Sequence, residues 1–363
     1  MHQRLHVVYT DNPSLELLGP VLDQIQLPER DAKIALKPNL VVAKPSESGA
    51  TTDPRLVETV IQYLQNKGYT NISIMEGSWV GDSTKRAFKV CGYEEISRKY
   101  KVPLIDLKQD ARVSVEVEGT TLEVCASLWQ ADYLINMPVL KAHCQTKVTC
   151  ALKNLKGCIP DSEKRRFHSM GLHRPIALLN KVLKSNLVIV DGIIGDLTFE
   201  EGGTPVYMGR VIIGEDPVAI DAYAAELLGY HPHDIHHLQI AEELGVGTAD
   251  SARLEIVEHN QAEKSRVEEL TAQRVVDRYA GYIDEREACS ACFGSLIHAL
   301  YRYEERHGRL PRNLQIAIGQ GFKESSPSGY TLGIGKCTSG VADAVPGCPP
   351  AAARILQRLE ELA

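Results

Sequence analysis

Over its first 250 residues the chain alternates short apolar runs with one-sided helical stretches, and no other feature constrains its fold as tightly. Strand-like runs fall at Leu5–Tyr9, Lys33–Lys37, Ile72–Glu76, Val102–Leu107, Tyr133–Asn136, Leu187–Asp191 and Val211–Gly214. Between them, Pro54–Asn66 carries Leu56, Val57, Val60, Ile61 and Leu64 at the period of a helix with one buried face. Pro217–Leu228 reads as a second helix, with Pro217 in its first turn and Gly229 at its exit. Strands alternating with helices predict an α/β fold, a mostly parallel sheet with helices on both faces. Val113–Val117 and Thr121–Cys125, joined by Glu118-Gly119-Thr120, predict an inserted hairpin.

The character changes near residue 250. The expected organisation is an α/β anion-binding domain over 1–255, a connecting helix over 256–285 and a smaller C-terminal α/β unit over 286–363. The connecting helix rests on the highly charged Glu263–Tyr279, which has only a weak apolar stripe. In the last unit Cys292–His307 and Pro349–Leu362 read as helices, and Leu314–Gly319 and Thr331–Ile334 as strands. A net charge of −7 argues against an electrostatic nucleic-acid binder. No run approaches the roughly 18 apolar residues of a membrane span. The opening Met1-His2-Gln3-Arg4-Leu5-His6-Val7-Val8-Tyr9 reads as a first strand, not a secretion signal, so a cytoplasmic protein without a membrane partner is expected.

Nine cysteines are too few for a disulfide scaffold, and an odd number points to reduced thiols and metal ligation. Cys91, Cys125 and Cys150 are expected to be buried and unpaired; Cys144 and Cys158 lie near a basic segment. Cys289, Cys292, Cys337 and Cys348 differ, because glycines and prolines flank them: Cys289-Ser290-Ala291-Cys292, then Gly335-Lys336-Cys337, then Gly347-Cys348-Pro349-Pro350. Four thiolates can enclose a zinc ion or hold a 4Fe–4S cluster. The flanks favour iron–sulfur: Gly335 and Gly347 leave backbone free to approach the sulfurs, and the prolines place Cys348 at a helix start. A structural zinc site more often uses two short cysteine pairs, whereas only one CxxC occurs here.

From Lys141 to Arg174 there are eight Lys/Arg and two acids, Asp161 and Glu163, in an otherwise acidic chain. Such a concentration predicts a site for an anionic small molecule. Phe167 is its only aromatic, so base stacking is poorly supported and no nucleic-acid partner is expected. Read as a helix, Thr146–Lys156 buries Val148, Ala151, Leu152 and Leu155 and presents Thr149, Lys153 and Lys156 on a polar stripe. Facing the strand ends at Lys37-Pro38-Asn39 and Lys141-Ala142-His143, that stripe would close a cationic pocket, where open α/β sheets bind ligands. The expected substrate-binding residues are therefore Lys37, Asn39, Thr149 and Lys153, and the expected catalytic pair is His143 with Lys141 beside it. Asp53 and Asp216 read as helix caps and Asp221 as a first-turn acid. The run His231-Pro232-His233-Asp234-Ile235-His236-His237 reads as a surface cluster. Gly77–Lys85 lacks the order of a P-loop and reads as a small-residue turn.

Two resemblances add to this. Lys37-Pro38-Asn39, Gly49-Ala50-Thr51-Thr52-Asp53-Pro54, Ile135 to His143, Lys153-Asn154-Leu155-Lys156-Gly157 and Gly214 to Asp221 together resemble the uncharacterised iron–sulfur proteins called domain of unknown function 362. That family implies an α/β domain often linked to iron–sulfur clusters and supplies no reaction. The C-terminal cysteine pattern looks like the cluster-binding half of the hydrogenase small subunit and of the matching respiratory complex I subunit. By that resemblance Cys289, Cys292, Cys337 and Cys348 would hold a 4Fe–4S cluster. The resulting expectation is an iron–sulfur oxidoreductase, or an electron-transfer component acting on an anionic small molecule or a redox partner protein. The alternative is a non-redox enzyme or binding protein for an anionic metabolite, with zinc at the four cysteines.

Overall fold

The computed structural model describes residues 3–143, 145–196, 205–266 and 278–362. They form two compact units, residues 1–166 with 173–272, and residues 167–172 with 273–363.

In the larger unit the strands are β1 (Gln3–Tyr9), β2 (Ile34–Pro38), β3 (Ile72–Glu76), β4 (Leu104–Asp106), β5 (Arg112–Val117), β6 (Thr120–Cys125), β7 (Tyr133–Met137), β8 (Val139–His143), β9 (Lys147–Thr149), β10 (Leu187–Asp196), β11 (Pro205–Gly214) and β12 (Leu254–His259). The central sheet runs β12-β1-β11-β10-β7-β2-β3-β4, with β8 pairing both β10 and β9. Its β10-β7-β2-β3-β4 side is parallel throughout, and β11 lies antiparallel to both neighbours. This is the expected α/β architecture. Strands buried on both faces explain the near-continuous apolar runs, as in β7, where all five residues are buried. The predicted hairpin is present as β5 and β6, separate from the main sheet.

The helices used below are α1 (Leu15–Leu22), α2 (Pro54–Asn66), α3 (Thr84–Val90), α4 (Tyr93–Tyr100), α5 (Ala126–Trp129), α6 (Ala151–Asn154), α7 (Asp161–Ser169), α8 (His173–Val182), α9 (Pro217–Leu227) and α10 (His236–Glu243). Their starts follow from local chemistry. Asp53 accepts the Arg55 amide at 2.8 Å ahead of Pro54, and Asp216 accepts the Val218 and Ala219 amides at 2.8 and 3.1 Å ahead of Pro217.

The stretch Thr146–Lys156 differs from its expectation. Residues 147–149 form β9, antiparallel to β8, and the α-helix begins only at Ala151 and continues as a 3₁₀ turn over Leu155–Cys158. Lys147 turns the chain in the left-handed region, with φ +64°, so that β9 folds back on β8. Val148, Ala151, Leu152 and Leu155 are buried as predicted, because both conformations bury the same four side chains. In the segment 256–285, the described residues contain the end of β12, short 3₁₀ turns and the strand β13 (Ile283–Glu285). The body of the expected connecting helix, 267–277, lies outside the described residues.

The smaller unit is a four-stranded parallel sheet in the order β13, β14 (Ile316–Ile318), β15 (Leu332–Ile334) and β16 (Ala344–Val345). Two helices, Ser290–His307 and Ala352–Glu361, bury Leu296, Leu300, Ile355 and Leu359 among other residues.

Candidate functional site

Buried polar groups gather in the larger unit where β2, β7 and β8 end. The Lys37 ammonium has three hydrogens and three acceptors: Pro38 O at 2.8 Å, Glu76 Oε2 at 2.9 Å and Asn154 Oδ1 at 3.1 Å. Asn154 is the hub. Its Oδ1 also accepts from Asn39 Nδ2 at 2.8 Å, and its Nδ2 donates to Asn136 Oδ1 at 2.7 Å and Lys37 O at 3.2 Å. Asn39 Oδ1 in turn accepts from Lys141 Nζ at 3.1 Å, which also donates to Ala50 O at 2.8 Å. Glu76 accepts the Leu40 and Gly77 amides, each at 2.7 Å. A Cβ on Gly157 would stand 2.2 Å from Glu76 Oε1 and 2.6 Å from Lys37 Nζ, so only glycine fits there.

The six residues expected around the anion fall in one region. Lys37, Asn39 and Lys141 belong to the network just described. Thr149 stands opposite Lys141, and Lys147 opposite His143, in the β8–β9 ladder, so all four occupy the same face of that pair. Lys153 precedes Asn154 on α6. All six are buried, none exceeding 7% exposure, so the region is a polar interior and not an open cleft. His143 Nδ1 accepts the Gln145 and Thr146 amides at 3.1 and 3.0 Å, which leaves Nε2 to carry the proton of the neutral ring.

Further residues complete this interior, and His237 among them departs from the surface placement expected for the run 231–237. His237 is fully buried, while its neighbours His231, His233 and His236 are exposed as expected for a surface cluster. The His173 ring lies 5.2 Å from His236 and 5.9 Å from His237, centroid to centroid. Burial holds the His173 pKa down to about 4, helped by His236, His143 and Lys147. Burial first, and then His173, Lys153, His143 and His236, keep His237 well below the ordinary histidine value. Both rings are neutral at pH 7. Asp221 receives the Ala151 and Leu152 amides at 2.7 and 3.1 Å, so it caps α6 from α9 and is not simply a first-turn acid of its own helix. Burial pushes Asp221 and Asp191 up to about 7. Asp191 accepts the Asp53 and Ile193 amides.

Several cations of the basic run 141–174 are engaged by protein groups, Lys141 as described above among them. Lys164 donates to Gly77 O and Ser78 O at 2.9 and 2.8 Å, anchoring the small-residue turn, and Arg166 pairs with Glu163. Cys91, Cys125, Cys150 and Cys158 are free and buried, and Cys144 lies outside the described residues.

In the smaller unit, Cys289 follows β13 and caps the helix Ser290–His307, whose first turn contains Cys292. Cys337 follows β15 and Cys348 follows β16. The two latter loops are tied together by Gly335 N to Val345 O at 2.9 Å and Lys336 N to Gly347 O at 2.8 Å. Burial raises the Cys292 thiol pKa to about 12, with Cys289, Cys348 and Cys337 each adding to it, so those three thiols lie within electrostatic reach of Cys292. Burial also raises Cys289, again with help from Cys337 and Cys348. A Cβ on Gly335, where φ is +90°, would sit 3.6 Å from the Cys292 sulfur. Among the described residues, no group of three or more His, Cys, Asp or Glu side chains is arranged to hold a metal ion.

Fold and site thus define an α/β protein with a buried Lys–Asn–His interior at the strand ends, and a separate unit bearing four thiols. Residues 34–226, more than half of the chain, match the family described as Domain of unknown function (DUF362), and the chain belongs to that family. It is similar to the thylakoid-associated protein sll1697 of Synechocystis sp. (strain ATCC 27184 / PCC 6803 / Kazusa), with 25% identity over 225 residues, 59% of this chain and 68% of that protein. Among solved structures, the lactate racemase apoprotein from Thermoanaerobacterium thermosaccharolyticum aligns at TM-score 0.39 and 10% identity, over 66% of this chain and 56% of that one. No helix among the described residues is long and apolar enough to cross a membrane.

Proposed function

We propose that this chain is a 4Fe–4S protein that acts as an oxidoreductase or electron-transfer component on an anionic small molecule or redox partner. The observation that carries the reading is that Cys337 and Cys348 add to burial in raising the thiols of both Cys289 and Cys292, although 44 residues intervene between Cys292 and Cys337. These four would be the ligands. The fit is favourable on three counts. Gly335 approaches the Cys292 sulfur without a side chain, three of the four cysteines lie beyond the carboxyl ends of parallel strands, and Cys289 and Cys292 sit at the positive end of an 18-residue helix.

When bound, the cluster would supply one-electron transfer. In the larger unit Lys37, Asn39 and Lys141 hold the strand ends in place, and His143, with its proton on Nε2, can donate to an anion or return a proton to it. Anaerobically purified protein should be brown, carry about four iron and four acid-labile sulfide per chain, and bleach reversibly with dithionite. Cys337→Ser should lose most of that iron. Colourless protein with one zinc would overturn the reading in favour of a structural metal.

A further inference from the structure

Among the described residues, five buried side-chain atoms of the larger unit have no hydrogen-bond partner: Thr149 Oγ1, His173 Nδ1, Asn180 Oδ1, and both Nδ1 and Nε2 of His237. Thr149 is 2% exposed and His237 is fully buried. An unmade bond of this kind costs about 1–3 kcal/mol, so a cluster of them marks a place where something is meant to bind. Those of Thr149, His173 and His237 are linked through His143, which shares a face with Thr149 and acts on both rings. Thr149 shares the β8–β9 face with His143, the rings of His173 and His237 stack at 5.9 Å, and His143 and Lys153 both act on His237.

We propose that this buried centre, bounded by Thr149, Lys153, His173 and His237, is an oxyanion site that takes the carboxylate or phosphoryl group of a small molecule. It rests on the anionic-substrate half of the function proposed above and moves that site from Lys37 to the histidines. The Thr149 hydroxyl can donate, each neutral imidazole has one N–H, and Lys153 adds positive charge. After burial, the side chains that act most strongly on His237 are His173, Lys153, His143 and His236. His173 and His237 also lie in the first turns of α8 and α10, where backbone dipoles favour negative charge. An oxyanion supplies acceptors for all of these donors and compensates the field they share, which a water molecule does not do.

The test is calorimetric titration of the full chain with inorganic phosphate and with acetate in a chloride background, on the parent, Thr149→Val and His237→Gln. At least one anion should bind saturably, phosphate if the natural group is phosphoryl and acetate if it is a carboxylate. Thr149→Val should weaken that binding about fivefold, and His237→Gln about tenfold or more. Without anion, Thr149→Val should be as stable as the parent or more so, because it replaces an unpartnered hydroxyl with a methyl group. If neither anion saturates, or both variants bind like the parent, the proposal fails. A Thr149→Val protein that is less stable without anion would point to an internal water and overturn it as well. Iron is measured on the same samples, so loss of the cluster reading and loss of the anion site are separately visible.

Discussion

Glu76→Gln is the substitution that decides whether Lys37 is part of the scaffold or of a binding surface. The Lys37–Glu76 pair is 2.9 Å long, and its side chains are only 1% and 3% exposed. Breaking a buried pair from one side typically costs about 3–5 kcal/mol, because the remaining charge stays in the interior. The glutamine amide would also present N–H to one of the two backbone amides, Leu40 or Gly77, that the carboxylate now accepts. That mismatch adds about 1 kcal/mol or more. Glu76→Gln should therefore lose at least about 4 kcal/mol. Lys37→Met should lose less, since Glu76 keeps two amide donors, and the double variant should fall short of the sum by more than about 1 kcal/mol. Urea titration read by tryptophan fluorescence is suited to this, because both tryptophans, Trp79 and Trp129, lie in the larger unit. If Glu76→Gln stays within about 1 kcal/mol of the parent, or the cycle is additive, the closed network around Lys37 is refuted and Lys37 returns as a ligand contact.

Gly157→Ala drives a methyl group into the same ion pair and should cost about 2–4 kcal/mol in the same urea assay, whereas Gly245→Ala, which meets nothing nearby but sits at φ +72°, should cost only about 1 kcal/mol. The folded-state pKa of Asp221 and Asp191, about 7, lies above the ordinary 3.8, so the folded protein holds protons that the unfolded chain releases. Stability from these groups is complete below about pH 4 and is lost as pH rises towards 7, by at most about 4 kcal/mol for each. Asp221→Asn should flatten the pH dependence of the urea midpoint over that range; an unchanged slope would mean that Asp221 is ionised throughout. Cys125→Ala should leave iron content unchanged where Cys337→Ser removes it, as metal analysis of both proteins would show.

Much of the fold was legible because its signals are local. Pro54–Asn66 and Ile72–Glu76 match their helix and strand residue for residue, since a cap, a proline and an apolar period all lie within the segment. Lys147–Thr149 was misread as helix because its strand character depends on β8, a partner the pattern Val148, Ala151, Leu152, Leu155 does not encode. The polar residues at the strand ends were visible as types, but their roles were not. Lys37 reads as a ligand contact until Glu76 and Asn154, 39 and 117 positions away, take its hydrogens. His237 was hidden by exposed neighbours on a mixed-polarity turn; the apolar flank Leu238 and the spacing to Ile235 were the only cue that one imidazole turns inward.

The Asn154 hub has a kinetic consequence. It ties the ends of β2 and β7 to α6, and reaches Lys141 of β8 through Asn39, so amide protons at these strand ends should exchange only when the larger unit unfolds as a whole. A molecule approaching Thr149 and His237 therefore meets one wall that cannot yield. For the oxyanion proposed above, we expect entry past the amino-terminal turns of α8 and α10, which carry His173 and His237, with on-rates that respond to substitutions there and not to changes along the strands.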